Sequence, residues 1–205
     1  MLRTFLALIL LCPTVLAERP KGFLGINWGA SPEEAKRVMQ ARPGVKFPED
    51  TDDYRFELTG GVFAGQPVLK WTLEFPDRKF ASATVVIDAK GEAQDLYKDF
   101  RRELVTKYGS ATTNQKLRGG KRDPNVKPTS AGTVTIWKFP PNLKDKSNIT
   151  IGCELSGPGG QPTTDPAQLQ LSIRYSNETL TSAAAAALET GAKATAPAGV
   201  KKDEL

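Results

Sequence analysis

From Glu92 to Gly109 the chain reads EAQDLYKDFRRELVTKYG, a charged segment with a single apolar stripe. Ala93, Leu96, Tyr97, Phe100, Leu104 and Tyr108 recur at spacings of three and four, which is the period of an α-helix. Lys98, Asp99, Arg101, Arg102, Glu103 and Lys107 take the remaining surface, and Glu103 precedes Lys107 at the favourable i,i+4 spacing. Glu92 and Asp95 near the start and Lys107 in the last turn suit the helix dipole. Gly109 offers a residue able to take a left-handed C-terminal cap. A helix this one-sided needs a sheet beneath it, and apolar strands lie on both sides of it in sequence.

Before it, Glu18–Phe23 reads as a loose lead-in. Ser31-Pro32-Glu33-Glu34 is a capping box with proline at the first helical position, so a helix is predicted to about Ala41. Ala35, Val38 and Met39 face inward, and Pro43-Gly44 stops the helix. Tyr54, Phe56 and Leu58 alternate with Arg55 and Glu57. After a turn at Gly60-Gly61 and Gly65, Leu69, Trp71, Leu73 and Phe75 face one way and Lys70, Thr72 and Glu74 the other. Ala81, Ala83, Val85 and Ile87 make the next apolar face.

Beyond the helix, Ser110–Gly132 is rich in turn-formers and reads as a long loop. Strands follow at Thr133–Phe139, at Asn148–Leu155, and over Leu169, Leu171, Ile173 and Tyr175. Leu180–Leu188 reads as a short Ala-rich helix. The order is helix, three strands, helix, three strands. Trp71 and Trp137 fall at comparable distances beyond their helices, which suggests a duplicated helix–three-strand unit. Short connections make neighbouring strands antiparallel, and hydrophobic-in, polar-out alternation suits a sheet covered on one face. The expected fold is α+β, an antiparallel sheet with helices on one face. The expected organisation is a signal peptide over 1–17, one domain over 18–189 and a disordered tail over 190–205.

The phrase Phe23-Leu24-Gly25-Ile26, then Trp28-Gly29 and Ser31-Pro32-Glu33, resembles one carried by a group of small uncharacterised bacterial exported proteins. Lys107-Tyr108-Gly109 and Trp137-Lys138-Phe139 are similar to later phrases in the same group. The resemblance spans roughly residues 23–175. It implies an exported helix-and-sheet domain and supplies no catalytic residue. A vaguer similarity to small outer-membrane assembly lipoproteins lies in the glycine-then-capped-helix phrase, but the lipidation cysteine is missing.

Met1–Ala17 fits a secretory signal: one basic residue, an apolar run from Phe5 to Leu11, and Val15 and Ala17 before the expected cleavage. The run is too short for the roughly 20 residues a bilayer core needs. Leu11 precedes Cys12 where a lipoprotein needs a small residue. Cleavage after Ala17 leaves Cys153 as the only cysteine, so no internal disulfide forms. Cys153 alternates with Ile149, Ile151 and Leu155 onto one face and reads as a buried, inert thiol. The C-terminal Lys202-Asp203-Glu204-Leu205 matches an endoplasmic reticulum retention signal, and Asn148-Ile-Thr150 and Asn177-Glu-Thr179 are glycosylation sequons. A periplasmic or secreted location is expected, with the endoplasmic reticulum lumen as the alternative.

No histidine occurs, which removes Ser-His and Cys-His catalysis and the commonest metal ligand. With one cysteine left, Cys/His zinc sites are excluded too. Glu49-Asp50-Thr51-Asp52-Asp53 fails the EF-hand register, since Asp50 at position one puts Arg55 where glycine is required. It reads as a solvated acidic loop. Gly60-Gly61-Val-Phe-Ala-Gly65 lacks the Lys-Ser/Thr of a phosphate loop and reads as a hairpin turn. No cofactor or metal is expected. Glu57, Glu74 and Glu154 remain as carboxylates able to meet across the sheet for general acid–base work.

Charge is concentrated. Removing Arg3 with the signal leaves 27 basic and 23 acidic residues from the full chain's 28 and 23. Residues 110–132 hold Lys116, Arg118, Lys121, Arg122 and Lys127 against Asp123 alone, so the rest is balanced. These five are the candidate site for an anionic partner, an envelope component or an acidic protein. Nucleic acid is a poor fit, because no aromatics interleave the charges. The polar sheet face with Lys70, Thr72, Glu74, Thr150, Glu154, Gln170, Ser172 and Arg174 is a second candidate surface. Trp71 reads as core, and Trp28 sits in a glycine-flanked loop. The expectation is a non-enzymatic exported binding or envelope-associated module. The alternatives are a carboxylate-dependent polysaccharide hydrolase and a lumenal protein of the endoplasmic reticulum.

Overall fold

The computed structural model describes residues 18–50, 52–116, 132–158, 163, 165–183 and 185–186. Residues 1–17, expected to be a signal peptide, Arg118, Lys121, Arg122 and Lys127, and residues 190–205 with the KDEL sequence lie outside these.

The Ser31 hydroxyl accepts from the Glu34 amide and starts α1 (Pro32–Gln40). Ala35 and Met39 are its fully buried inner residues. The organising helix is α2 (Ala93–Tyr108), with Ala93, Tyr97, Phe100, Leu104 and Tyr108 buried. Its outer ion pairs are Asp95–Lys98 and Asp99–Arg102 at i,i+3, while Lys107 lies over the Tyr108 ring at 5.2 Å. Gly109 takes φ 77° and ψ −166°, an extended left-side conformation reserved for glycine rather than the left-handed helical cap expected. Its carbonyl accepts from Trp137 Nε1 at 2.9 Å.

The strands are β1 (Gly22–Phe23), β2 (Ile26–Asn27), β3 (Val45–Lys46), β4 (Arg55–Gly60), β5 (Val62–Phe63), β6 (Gln66–Glu74), β7 (Ser82–Ile87), β8 (Thr113–Lys116), β9 (Thr133–Phe139), β10 (Ile149–Ser156) and β11 (Gln170–Asn177). β1 and β2 form a hairpin of their own. The rest make one antiparallel sheet in the order β3-β4-β6-β7-β11-β10-β9-β8, with β5 paired to β6 at the side. The sheet follows a simple rule. Each helix is followed by a meander running from an outer edge to the middle, α1 then β3, β4, β6, β7 and α2 then β8, β9, β10, β11. The two innermost strands pair antiparallel, Ala83 opposite Tyr175 and Val85 opposite Ile173.

Each meander therefore carries four strands, one more than the periodicity suggests, with β5 a side strand of the first. The extra strands are the two-residue β3 and the edge strand β8, TNQK, whose polar, exposed side chains carry no alternation signal. Backbone pairing with β9 alone defines β8. Trp71 stands on the next-to-last strand of its unit and Trp137 on the second of its own, so the two tryptophans are not equivalent positions.

Cross-strand register puts Phe56, Leu73, Ala83, Tyr175, Ile151 and Trp137 in one inner row, with Leu58, Trp71, Val85, Ile173 and Cys153 beside it. Both helices and the β1–β2 hairpin cover this face in a single core cluster. Leu69 departs from the expected alternation. A register shift between Val68 and Lys70 turns Val68 inward and leaves Leu69 52% exposed. Tyr54 precedes its strand and is exposed.

The N-terminal segment is also more ordered than a loose lead-in. Arg19 Nε donates to Asp145 Oδ2 at 2.7 Å, and Nη1 donates to the carbonyls of Phe139 and Pro140 at 3.0 and 2.8 Å. Nη2 donates to the Ser147 carbonyl. One guanidinium thus ties the segment before β1 to the β9–β10 loop. Trp28 donates to the Pro20 carbonyl at 3.0 Å and stacks on Phe80, which gives it a packing role. The 178–183 stretch is helical, and the Asn177 side chain accepts from the Leu180 amide at its start.

Candidate functional site

Of the five basic residues singled out by charge, Lys116 is described; it ends the edge strand β8, exposed. The acidic stretch does separate jobs. Asp52 accepts from the Tyr54 amide and Asp53 pairs with Arg78 at 3.1 Å. Among the described residues no three His, Cys, Asp or Glu side chains group as metal ligands.

The polar face of the sheet holds two hollows. One, of about 710 Å³, lies over Arg55, Glu57, Leu69, Lys70 and Gln170. The other, of about 350 Å³, lies over Gly152, with Thr150, Glu154, Ser172, Arg174 and Glu178 around it. Most charges here already have partners. Glu57 meets Arg55 at 2.6 Å and Lys70 at 2.8 Å, and the Lys70 ammonium holds its carboxyl below the usual carboxylate range. Glu74 accepts from the Ser82 hydroxyl and lies 3.6 Å from Arg174. Glu178 accepts from Asn148 and Thr150.

The three carboxylates do not converge. Glu57 on β4 and Glu154 on β10 have β6, β7 and β11 between them, which is roughly 19 Å at about 4.8 Å per strand. Glycosidase pairs sit within about 9.5 Å. Glu57 and Glu74 are diagonal neighbours, but each is already engaged on the open sheet face, Glu57 by Arg55 and Lys70 and Glu74 by Ser82 and Arg174. Cys153 is fully buried, and burial pushes its thiol up to about 12.

The third hollow differs in kind. It is a cleft of about 360 Å³ on the helix side, walled by two hairpins and α2. Leu24 from the β1–β2 turn, Val62, Phe63 and Ala64 from the β5–β6 hairpin, and Phe100, Leu104 and Tyr108 from α2 line it, with Ile173 and Tyr175 at the floor. Phe63 stacks on Phe100 with centroids 6.0 Å apart and planes 2° apart, and touches Phe23 at 5.8 Å. Burial pushes the Tyr175 phenol well above its ordinary range, so the floor stays uncharged.

Both hairpins are closed by two-residue turns with positive φ at each position: Leu24 (52°) with Gly25 (90°), and Ala64 (48°) with Gly65 (81°). Leu24 and Ala64 hold a conformation that favours glycine or asparagine, and both face the cleft. Charges sit among the lining too: Arg42, just after α1, with Glu103 and Lys107 on α2. Arg42 Nε is the one buried side-chain polar atom without a hydrogen-bond partner among the described residues.

From the sequence none of these residues reads as a site: Phe100, Leu104, Tyr108, Ile173 and Tyr175 read as core, and Leu24 belongs only to the phrase that carries the resemblance. Gly60–Gly65 was legible as a turn, yet nothing said that Phe63 would fold back onto Phe100. The available signal was apolar residues flanking two-residue turns, at Phe23-Leu24-Gly25-Ile26 and Val62-Phe63-Ala64-Gly65. No protein-family model matches the chain, and no curated protein or solved structure does either.

Proposed function

We propose that this chain is an exported, non-catalytic binding module that takes an apolar ligand in the cleft between its two hairpins and α2. The observation that carries this reading is the cleft itself: aromatic and aliphatic walls left open beside a filled core. Its volume lies near the lower end of the roughly 300–1,000 Å³ typical of small-molecule sites. Strained turns at Leu24 and Ala64 hold its walls, and such strain gathers at functional sites. The secretory-type N-terminus and the resemblance of the Phe23–Glu33 phrase to exported bacterial proteins support export. No helix among the described residues is long and apolar enough to cross a membrane. Asn177 is 1% exposed and caps the helical 178–183 stretch, so that sequon lends no support to the lumenal alternative.

The test is titration of the chain from Glu18 with a neutral fluorescent apolar probe, N-phenylnaphthylamine. Saturable one-to-one binding is expected. Leu24→Asn suits the turn better while stripping the wall, so it should weaken binding several-fold without unfolding the protein. Absence of saturable binding, or unchanged binding in Leu24→Asn, would sink the cleft as the site.

A further inference from the structure

We infer that the cleft recognises a single-chain amphiphile with an anionic head, and that the Arg42 guanidinium holds that head. This deepens the binding reading above and rests on it. Three observations converge. The lining is apolar in its depth, from Phe63 and Phe100 to Ile173 and Tyr175. Arg42 and Lys107 give the lining two cations against the single acid Glu103. Arg42 also carries an N–H that solvent does not reach and no protein acceptor meets.

A buried donor left unpaired is costly, by about 1–3 kcal/mol in general and more for a charged group. The other buried side-chain polar atoms of the described residues have found partners, so Arg42 stands apart from the way the rest of the molecule is built. A guanidinium presents Nε–H and a terminal N–H as a parallel fork, which matches the two oxygens of a carboxylate. Nε is closed to solvent, so the guanidinium turns toward the cleft as the anionic head arrives; the fork then gives Nε its acceptor, and the attached chain runs along the Phe63–Phe100 wall. The apolar wall supplies affinity through area removed from water, and the fork supplies selection of the head. A neutral alcohol of the same length offers Nε one uncharged acceptor in place of a paired, charge-assisted fork, and a cationic ligand would meet two like charges.

The experiment compares three twelve-carbon probes below their micellar concentrations, by calorimetry on the chain from Glu18: dodecanoate, dodecanol and dodecyltrimethylammonium. Dodecanoate should bind at least tenfold more tightly than dodecanol, with the trimethylammonium probe weakest. Arg42→Gln should bring dodecanoate down to the dodecanol level. A second measurement needs no variant. The ¹⁵Nε resonance of Arg42 should shift strongly on adding dodecanoate and much less on adding dodecanol. Equal binding of dodecanoate and dodecanol would overturn the head assignment while leaving the apolar cleft standing. Tighter binding of the cationic probe, or a silent Arg42 resonance in a chain that binds dodecanoate, would overturn it as well. Failure of all three probes to bind would remove the cleft reading and this inference together.

Discussion

The Tyr97 phenol on α2 sits 2.6 Å from the Thr135 hydroxyl on β9, and Thr135 donates in turn to Asn114 Oδ1 on β8, also at 2.6 Å. A threonine hydroxyl has one proton, and here it goes to Asn114, so Tyr97 is the donor to Thr135. The three side chains form a directed chain from the organising helix through a fully buried residue to the polar edge strand. Thr135→Val keeps the shape and strand preference but removes the link, leaving the Tyr97 hydroxyl buried and unmatched. A loss of about 1–3 kcal/mol is expected, read as a lower urea midpoint at unchanged m-value. A loss under about 0.5 kcal/mol would show that the chain holds nothing.

Gly109 and Gly152 should respond in opposite directions to alanine. Gly109 at φ 77° and ψ −166° occupies a region nearly closed to other residues, so Gly109→Ala should cost about 1–3 kcal/mol. Gly152 lies within β10, and a Cβ built there meets nothing within 4 Å. Gly152→Ala should be neutral or stabilising by up to about 1 kcal/mol, since glycine weakens a strand. Thermal melts of the two variants decide it.

The bulge in β6 makes a paired prediction. Val68→Ala should cost roughly 2 kcal/mol, because Val68 is 5% exposed. Leu69→Thr should stay within about 0.5 kcal/mol of wild type, since its neighbour holds the inward position. Reversed sensitivities would mean that the strand runs in uninterrupted alternation.

Arg19 and Asp145 couple the segment before β1 to acid stability. The Ser147 amide, then Arg19, hold the Asp145 carboxyl below the usual carboxylate range. A depressed carboxylate pKa gives stability that is present above the unfolded value and disappears as pH falls through the folded one. Arg19→Ala should lower the unfolding free energy by about 1–2 kcal/mol at pH 7, given charge-assisted bonds to a carboxylate and three carbonyls. Asp145→Asn should be destabilised at pH 7 and approach wild type below about pH 3.9, the ordinary aspartate value. A pH-independent gap in urea titrations would rule out the coupling.

Cys153 should be silent toward thiol reagents. With its thiol pushed to about 12, the thiolate fraction at pH 8 is on the order of 10⁻⁴, and the side chain is fully buried. Ellman's reagent should label it in guanidinium and leave it untouched in buffer over hours. Rapid labelling of the native protein would place the thiol near the surface.

The parts of this fold that were legible in sequence are those where burial writes a period. The α2 stripe, the inner faces of β7, β10 and β11, and the Ser31 cap each follow from spacing alone. What stayed hidden was set by backbone pairing or by distant partners. β8 is a strand because β9 offers it a ladder, and its own residues TNQK carry no apolar face. Leu69 was misassigned because a bulge inserts a residue with no mark in the alternation. The cleft was least visible of all. Arg42, Phe63 and Leu24 come from three separate turns or ends, and only the tertiary arrangement brings them to α2. The charge pattern instead drew attention to residues 116–127, of which Lys116 alone is described.

The pairing of β7 with β11 has a consequence for how the molecule is made. These strands are the last of their units in sequence and the innermost in the sheet. As the chain is synthesised, Ala83, Val85 and Ile87 emerge early on a strand whose far edge has no neighbour until Gln170–Asn177 arrives. An open apolar edge is a template for wrong pairing. The seam therefore closes only once Gln170–Asn177 has been made, and a chain cut short after β10 would carry two exposed inner edges in place of one finished sheet.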